Sequence, residues 1–192
     1  MEYIPVRMVR PDMANLPQHP LPPGYTVRFY RDGDREAWLR VWRSAEKLTT
    51  ITDDMFDSLA AGDFDGMARR CYFLVSPDGA DVGTATAWYE PVFQGKPWGR
   101  VYWVAIVPAH RGKGLSRGLM TVTMNRLRSL GHRRAMLATQ TPRIAAIRTY
   151  LHFGFVPDPT TDRAEHAWRL VAAEIDHPAL RAYGTPDTGA AV

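Results

Sequence analysis

A single cysteine, Cys71, excludes an internal disulfide, and its setting in Arg70-Cys-Tyr-Phe-Leu-Val75 reads as a small core residue rather than a nucleophile. Lysine is nearly as scarce: Lys47, Lys96 and Lys113 stand against 21 arginines, with a net charge of +4. The basic residues are scattered along the chain instead of forming a stripe interleaved with aromatics, so a nucleic-acid binder is not indicated. No apolar run approaches the ~20 residues of a membrane span. The opening Met1-Glu-Tyr-Ile-Pro-Val-Arg-Met8 lacks the apolar stretch of a secretory signal, and the expectation is a cytoplasmic protein. His132, His152 and His166 show no metal-ligand spacing and there is no Cys/His cluster, so no metal is expected.

What is present is punctuation and periodicity. Six of the 15 prolines fall within the first 23 residues, and residues 1–24 read as an extended Pro-rich arm outside the core. A folded domain is expected over 25–176 and a fraying tail over 177–192. Tyr25–Tyr30 alternates as a strand, Asp34 is placed to cap a helix burying Trp38, Val41, Trp42, Ala45 and Leu48, and a short helix is expected from Thr52. Pro77-Asp78-Gly79 reads as a hairpin turn between the runs 70–75 and 81–89, and 94–99 as a loop before the next strand. Near the end, Ala164, Trp168, Val171, Ala172 and Ile175 recur with helical spacing, which favours a helix over 162–175 capped from Thr161-Asp162 and leaves a strand as the alternative.

The most informative stretch is Val101–Met120. It reads as a buried strand, a tight turn Arg111-Gly-Lys-Gly114, and a helix running towards Leu130. Glycines there let backbone N–H groups close around an anion, and the first turn of the helix adds unpaired donors and a favourable dipole. The spacing fits neither the nucleotide-hydrolase P-loop nor the dinucleotide fingerprint, because Lys113 precedes no Ser or Thr and Gly118 comes one position late.

It resembles the R-x-x-G-x-[GA] pyrophosphate loop of the GCN5-related N-acetyltransferases (GNAT family), with Ser116 where that family has Gly or Ala. Downstream, Arg143-Ile-Ala-Ala146-Ile-Arg-Thr-Tyr150, followed by Gly154-Phe155, resembles the family's second cofactor motif, N-x-x-A-x-x-x-Y with a G-F ending. Arg143 replaces the usual Asn, and either turns to phosphate or stays in solvent. The resemblance covers residues 99–156 and implies an α/β fold with a mixed central sheet and helices on both faces.

It also implies an acyl-CoA-dependent N-acetyltransferase in which a primary amine, on a small molecule or a peptide, attacks the thioester of acetyl-CoA directly. Carried over by position, Val104, Ala105 and Ile106 would pair with the pantetheine arm, and the Ile106 N–H would face the developing oxyanion. Arg111, Gly112, Lys113, Gly114, Leu115, Ser116 and Arg117 would hold the pyrophosphate, Arg143 and Ala146 would add cofactor contacts, and Tyr150 would be the general acid. Glu90 is the carboxylate the coarse reading offers as base, with a solvated strand end as its plainer role. No nucleic acid and no membrane are expected as partners; a homodimer is left open. The rival reading is a catalytically idle relative that binds acyl-CoA and regulates a partner.

Overall fold

The structure, a computed structural model, describes residues 1–60 and 63–184. In chain order its first elements are β1 (Pro5–Arg10), β2 (Thr26–Phe29), α1 (Arg35–Ala45), α2 (Asp54–Ala60), α3 (Phe64–Arg70), β3 (Cys71–Val75) and β4 (Asp81–Phe93). They are followed by β5 (Lys96–Ile106), α4 (Leu115–Ser129), β6 (Ala135–Gln140), α5 (Ile144–His152), β7 (Val156–Pro157), α6 (Ala164–Ala172) and α7 (Arg181–Gly184). Where the sequence suggests one domain from 25 to 176, contacts divide the chain into two compact units. One is Met13–Ala135; the other joins Met1–Asp12 to the chain from Met136 onward.

In the unit Met13–Ala135, β2, β3, β4 and β5 lie side by side, each antiparallel to the next. The strand period of two sorts β3 between two apolar clusters. Cys71 and Phe73 join Trp38, Leu39 and Trp42 of α1 and Phe56 and Leu59 of α2, whereas Leu74 joins Val82 and Leu115 of α4. Burial pushes the Cys71 thiol up to about 12, in keeping with a packed core residue. Helix α1 ends at Ala45, so Leu48 is exposed instead of continuing its buried face. Asp34 stands at the N-cap position, but its carboxylate accepts from Arg28 and the Arg31 N–H rather than capping the helix. The predicted loop 94–99 contracts to Gln94-Gly95, both left-handed at φ 51° and 71°, with Phe93 paired to Lys96 across a two-residue hairpin.

The other unit corrects the expected arm. Residues 5–10 form β1, antiparallel to β7 through Met8 opposite Pro157, with Val6 and Met8 in the core. Pro5 is tolerated because it opens the strand. Upstream, Ile4 and Thr141 exchange hydrogen bonds, Ile4 N–H to Thr141 Oγ1 and Thr141 N–H to Ile4 O, at 3.1 Å each. The remainder of the Pro-rich segment carries no helix or strand over 11–24, and from Met13 it belongs to the unit Met13–Ala135. It lies along α4: the His19 N–H donates to Thr121 Oγ1, Gln18 pairs with Asn125, and Leu21 fills the space above Gly118. The helical spacing at the end of the chain is realised as α6, buried on Ala167, Trp168 and Val171. Its cap position falls on Arg163 instead of Thr161-Asp162, with no side-chain cap bond. Of the expected fraying tail, residues 178–184 form a 3-10 turn and α7, and 185–192 lie outside the described residues.

Candidate active site

Strand β5 is not regular. Thr86 pairs with Tyr102 and Thr84 with Ala105, so β5 carries one residue more than β4 between those pairs. The extra residue is accommodated at Trp103, whose φ of 49° is a left-handed value that a bulky side chain rarely adopts. A hydrogen-bond relay holds it there. The Trp42 indole N–H donates to Thr84 Oγ1 at 2.9 Å, and that hydroxyl donates to the Trp103 carbonyl at 3.1 Å. Trp103 packs edge-on against Trp42 and Trp38, with ring centroids 4.6 and 5.0 Å away. Beyond the bulge, the Val107 N–H bonds to Val82 O. Antiparallel pairs alternate between bonded and non-bonded, so Ile106, one residue earlier, turns its N–H and C=O to the opposite edge of β5.

The turn that follows has the conformation its glycines imply. Gly112 and Gly114 both sit at φ 77°, and a Cβ on either would meet nothing within 4 Å. The glycines are therefore needed for backbone angle, and the space beside them is open. Among the described residues, no backbone N–H from Gly112 to Arg117 donates to a protein acceptor, and Gly114 caps α4 without side-chain help. Ser116 and Arg117 are exposed while Leu115 is buried, so the first turn is anchored by its leucine and presents its amides to solvent. Lys113 is exposed and reaches the Tyr25 hydroxyl at 3.4 Å; Tyr25 also bonds His110 Nδ1 at 2.8 Å.

Arg111 behaves differently from its neighbours. Its Nε donates to Ile106 O at 2.9 Å, its Nη2 to Ala45 O at 2.7 Å, and its backbone N–H to Pro108 O at 3.1 Å. In the second motif, Arg143 occupies the N-cap of α5 and its guanidinium bonds Gln140 Oε1. Ala146 and Tyr150 follow on α5, both half-buried. Burial pushes the Tyr150 hydroxyl up to about 12, with the Arg143 charge acting weakly the other way, so it is protonated at neutral pH. The helix exits through Gly154 at φ 74°, and the Phe155 N–H returns to Tyr150 O at 3.1 Å.

Glu90 is not brought to this region. It lies opposite Trp98 while Gly83 lies opposite Ile106, which places it seven residues along β4, about 23 Å at the usual strand rise. Its carboxylate faces Arg100 at 3.6 Å. Asp81, the other carboxylate of these strands, is held by Arg28 at 2.7 Å. The aromatics of the hairpin serve packing: Trp88 and Trp98 are buried, with Arg70 over Trp88 and Arg134 over Trp98. No group of three or more His, Cys, Asp or Glu that could hold a metal occurs among the described residues. Two surface hollows, of about 530 Å³ along 43–51 and about 470 Å³ over the start of α6, are lined by none of the expected site residues. The residues that sequence reasoning missed are Trp103, Thr84 and Trp42. Their bonding joins positions decades apart and carries no local signal.

Residues 27–155 match the model of the acetyltransferase (GNAT) family. The chain belongs to that family. Its α/β fold, strands flanked by helices on both faces, is the GNAT fold. A mycothiol acetyltransferase of Thermobispora bispora is 32% identical over 157 residues, covering 78% of this chain and 52% of that protein. The chain spans about half the length of the curated relatives it matches. A GCN5-related N-acetyltransferase from Sphaerobacter thermophilus superposes with a TM-score of 0.62 at 23% identity, over 81% of this GNAT chain and 50% of the other. An acetyltransferase from Salmonella typhimurium, solved with acetyl-CoA, gives 0.53 at 20% identity over 68% and 79%. Among the described residues, no helix of this GNAT protein is long and apolar enough to cross a membrane.

Proposed function

We propose that this chain transfers an acetyl group from acetyl-CoA to a primary amine by direct attack, without a covalent enzyme intermediate. The observation that carries the reading is the run of unengaged amides from Gly112 to Arg117, opening α4 beside glycines with open space around them. Such a cradle suits a pyrophosphate, whose charge the N–H groups and helix dipole stabilise. Val104, Ala105 and Ile106 then supply a strand edge for the pantetheine arm. With its N–H turned away from β4, Ile106 would donate to the thioester oxygen as negative charge develops there. By analogy with other acyl transfers, one such donor is worth about 10²–10³ in rate.

In this reading the amine nitrogen forms the new C–N bond and the C–S bond breaks. The departing thiolate takes a proton from Tyr150, the residue in the family's acid position. Glu90 has no part, being remote from Ile106 and facing Arg100. The amine therefore attacks once it has lost its proton to solvent. A small-molecule acceptor is the first class to try, since the relatives are named for one, and the cytoplasm is the compartment this reading expects.

The test is acceptor-dependent thiol release over a panel of amines, run beside calorimetry with CoA. Release that depends on both substrates supports the transferase. Tight CoA binding without release on any amine favours the idle regulator, and absence of heat with CoA removes both.

A further inference from the structure

Resting on that reading, we infer that Arg111 is a positioning residue, a strut between the reacting edge of β5 and the end of α1, and not a ligand of the cofactor's phosphates. Its two side-chain bonds go to the last residues of two elements: Ile106 closes β5 and Ala45 closes α1. Both acceptors are main-chain carbonyls that regular structure leaves available. Ala45 O is among the last four carbonyls of α1, which have no partner within the helix, and a cation there also meets the negative end of the helix dipole. Ile106 O points to the edge of β5 that carries the Ile106 N–H, because Val107 already bonds to Val82. The Arg111 backbone N–H is spent on Pro108 O. Three of its donors thus face the protein's own main chain, while the amides from Gly112 to Arg117 face none.

The strut also reaches the segment that follows α1. Ala45 leads into the segment 46–53, whose turn is built by Glu46 accepting from the Lys47 and Leu48 N–H groups and by Arg43 pairing with Asp53. That segment forms the hollow of about 530 Å³ along 43–51. One guanidinium fork therefore ties the position of the oxyanion donor to the position of that hollow. Lysine cannot replace it, since a single ammonium on a flexible stem lacks the planar fork that reaches two carbonyls in different directions.

The experiment compares R111Q and R111K with the native chain, using two donors, acetyl-CoA and S-acetylpantetheine, the second of which has no phosphate. Misplacement of the strand end should lower kcat by about tenfold to a hundredfold with either donor. The charge-retaining R111K should fall with R111Q, and calorimetric affinity for CoA should change little. Hydrogen exchange at the Lys47 and Leu48 amides should quicken in both variants with the melting temperature held. Loss of CoA affinity alone, with S-acetylpantetheine turnover intact and R111K restoring binding, would make Arg111 a phosphate ligand and overturn the proposal. Unchanged kcat, or unchanged exchange over 46–53, would overturn it too. Should R111Q not fold, R111K decides by the same measurements. Failure of the proposed activity is read separately, from the native chain binding no CoA, and the exchange comparison then still decides the strut.

Discussion

Two left-handed glycine turns, each inside one of the family's motifs, have opposite surroundings. At Gly112 and Gly114 a Cβ would meet nothing within 4 Å. At Gly154, with nearly the same φ of 74°, a Cβ would fall 2.2 Å from the Arg10 Nη1. Arg10 is itself buried, and that same nitrogen bonds Phe153 O. The backbone shape is alike, but one turn is open to a guest and the other is filled by the chain's own cation. A glycine in a motif therefore identifies a conformation, and only its surroundings identify a binding site.

The strongest way to break this comparison is G154A. The left-handed angle costs about 1–2 kcal/mol for a residue with a side chain, and a buried guanidinium must also be displaced, so the total should be about 3 kcal/mol or more in denaturant unfolding. A loss no larger than at Gly112 would show that the Arg10 filling carries no weight. Next comes D158N, in the same unit. Asp158 is fully buried, with Arg7 Nε at 2.6 Å and the Thr160 N–H and hydroxyl as further partners. Burial alone would raise its pKa, but the Thr160 amide, Arg7 and the Thr160 hydroxyl together hold it below 3.8. A carboxyl whose folded pKa is depressed stabilises the fold above its unfolded pKa, and that share is lost as pH falls through the folded value. D158N should cost about 3 kcal/mol at neutral pH, and its deficit should shrink in acid below the usual carboxylate range.

On α5, Y150F sharpens the contrast between holding and reacting. It should lower kcat by about 10² while leaving the KM for acetyl-CoA nearly unchanged. Equal turnover at saturation would remove the acid role. The smallest effect on stability is expected for G112A and G114A, about 1–2 kcal/mol each from backbone angle alone. Their signature should instead be weaker CoA binding by calorimetry, because the amides are re-aimed. A loss at Gly112 as large as at Gly154, with CoA binding untouched, would erase the distinction.

Much of the fold was legible where the determinants are local. The glycine turn and α4 follow from residues within one turn of each other, and the helical spacing of Ala164, Trp168 and Val171 foretold α6. Helix α3 was not foreseen: it is only seven residues long, contains Gly66, and is started by Asp63 accepting from the Gly66 N–H. Strand β1 was hidden because proline density suggested an arm, whereas its partner β7 is two residues long and lies far away in sequence. The site divides in the same way. The amides of the loop could be read from glycine spacing, but the occupation of Arg111 depends on Ala45, 66 positions earlier. Glu90 looked suitable only until pairing fixed how far along β4 it stands.

The crowding of Trp38, Trp42 and Trp103, each within 6 Å of the others, has a practical corollary. Indoles this close couple their excited states, and one of them is the very residue at which β5 bends. Near-ultraviolet circular dichroism and intrinsic emission should thus register any straightening of that strand directly, giving the protein a built-in optical gauge that needs no dye and no assay of turnover.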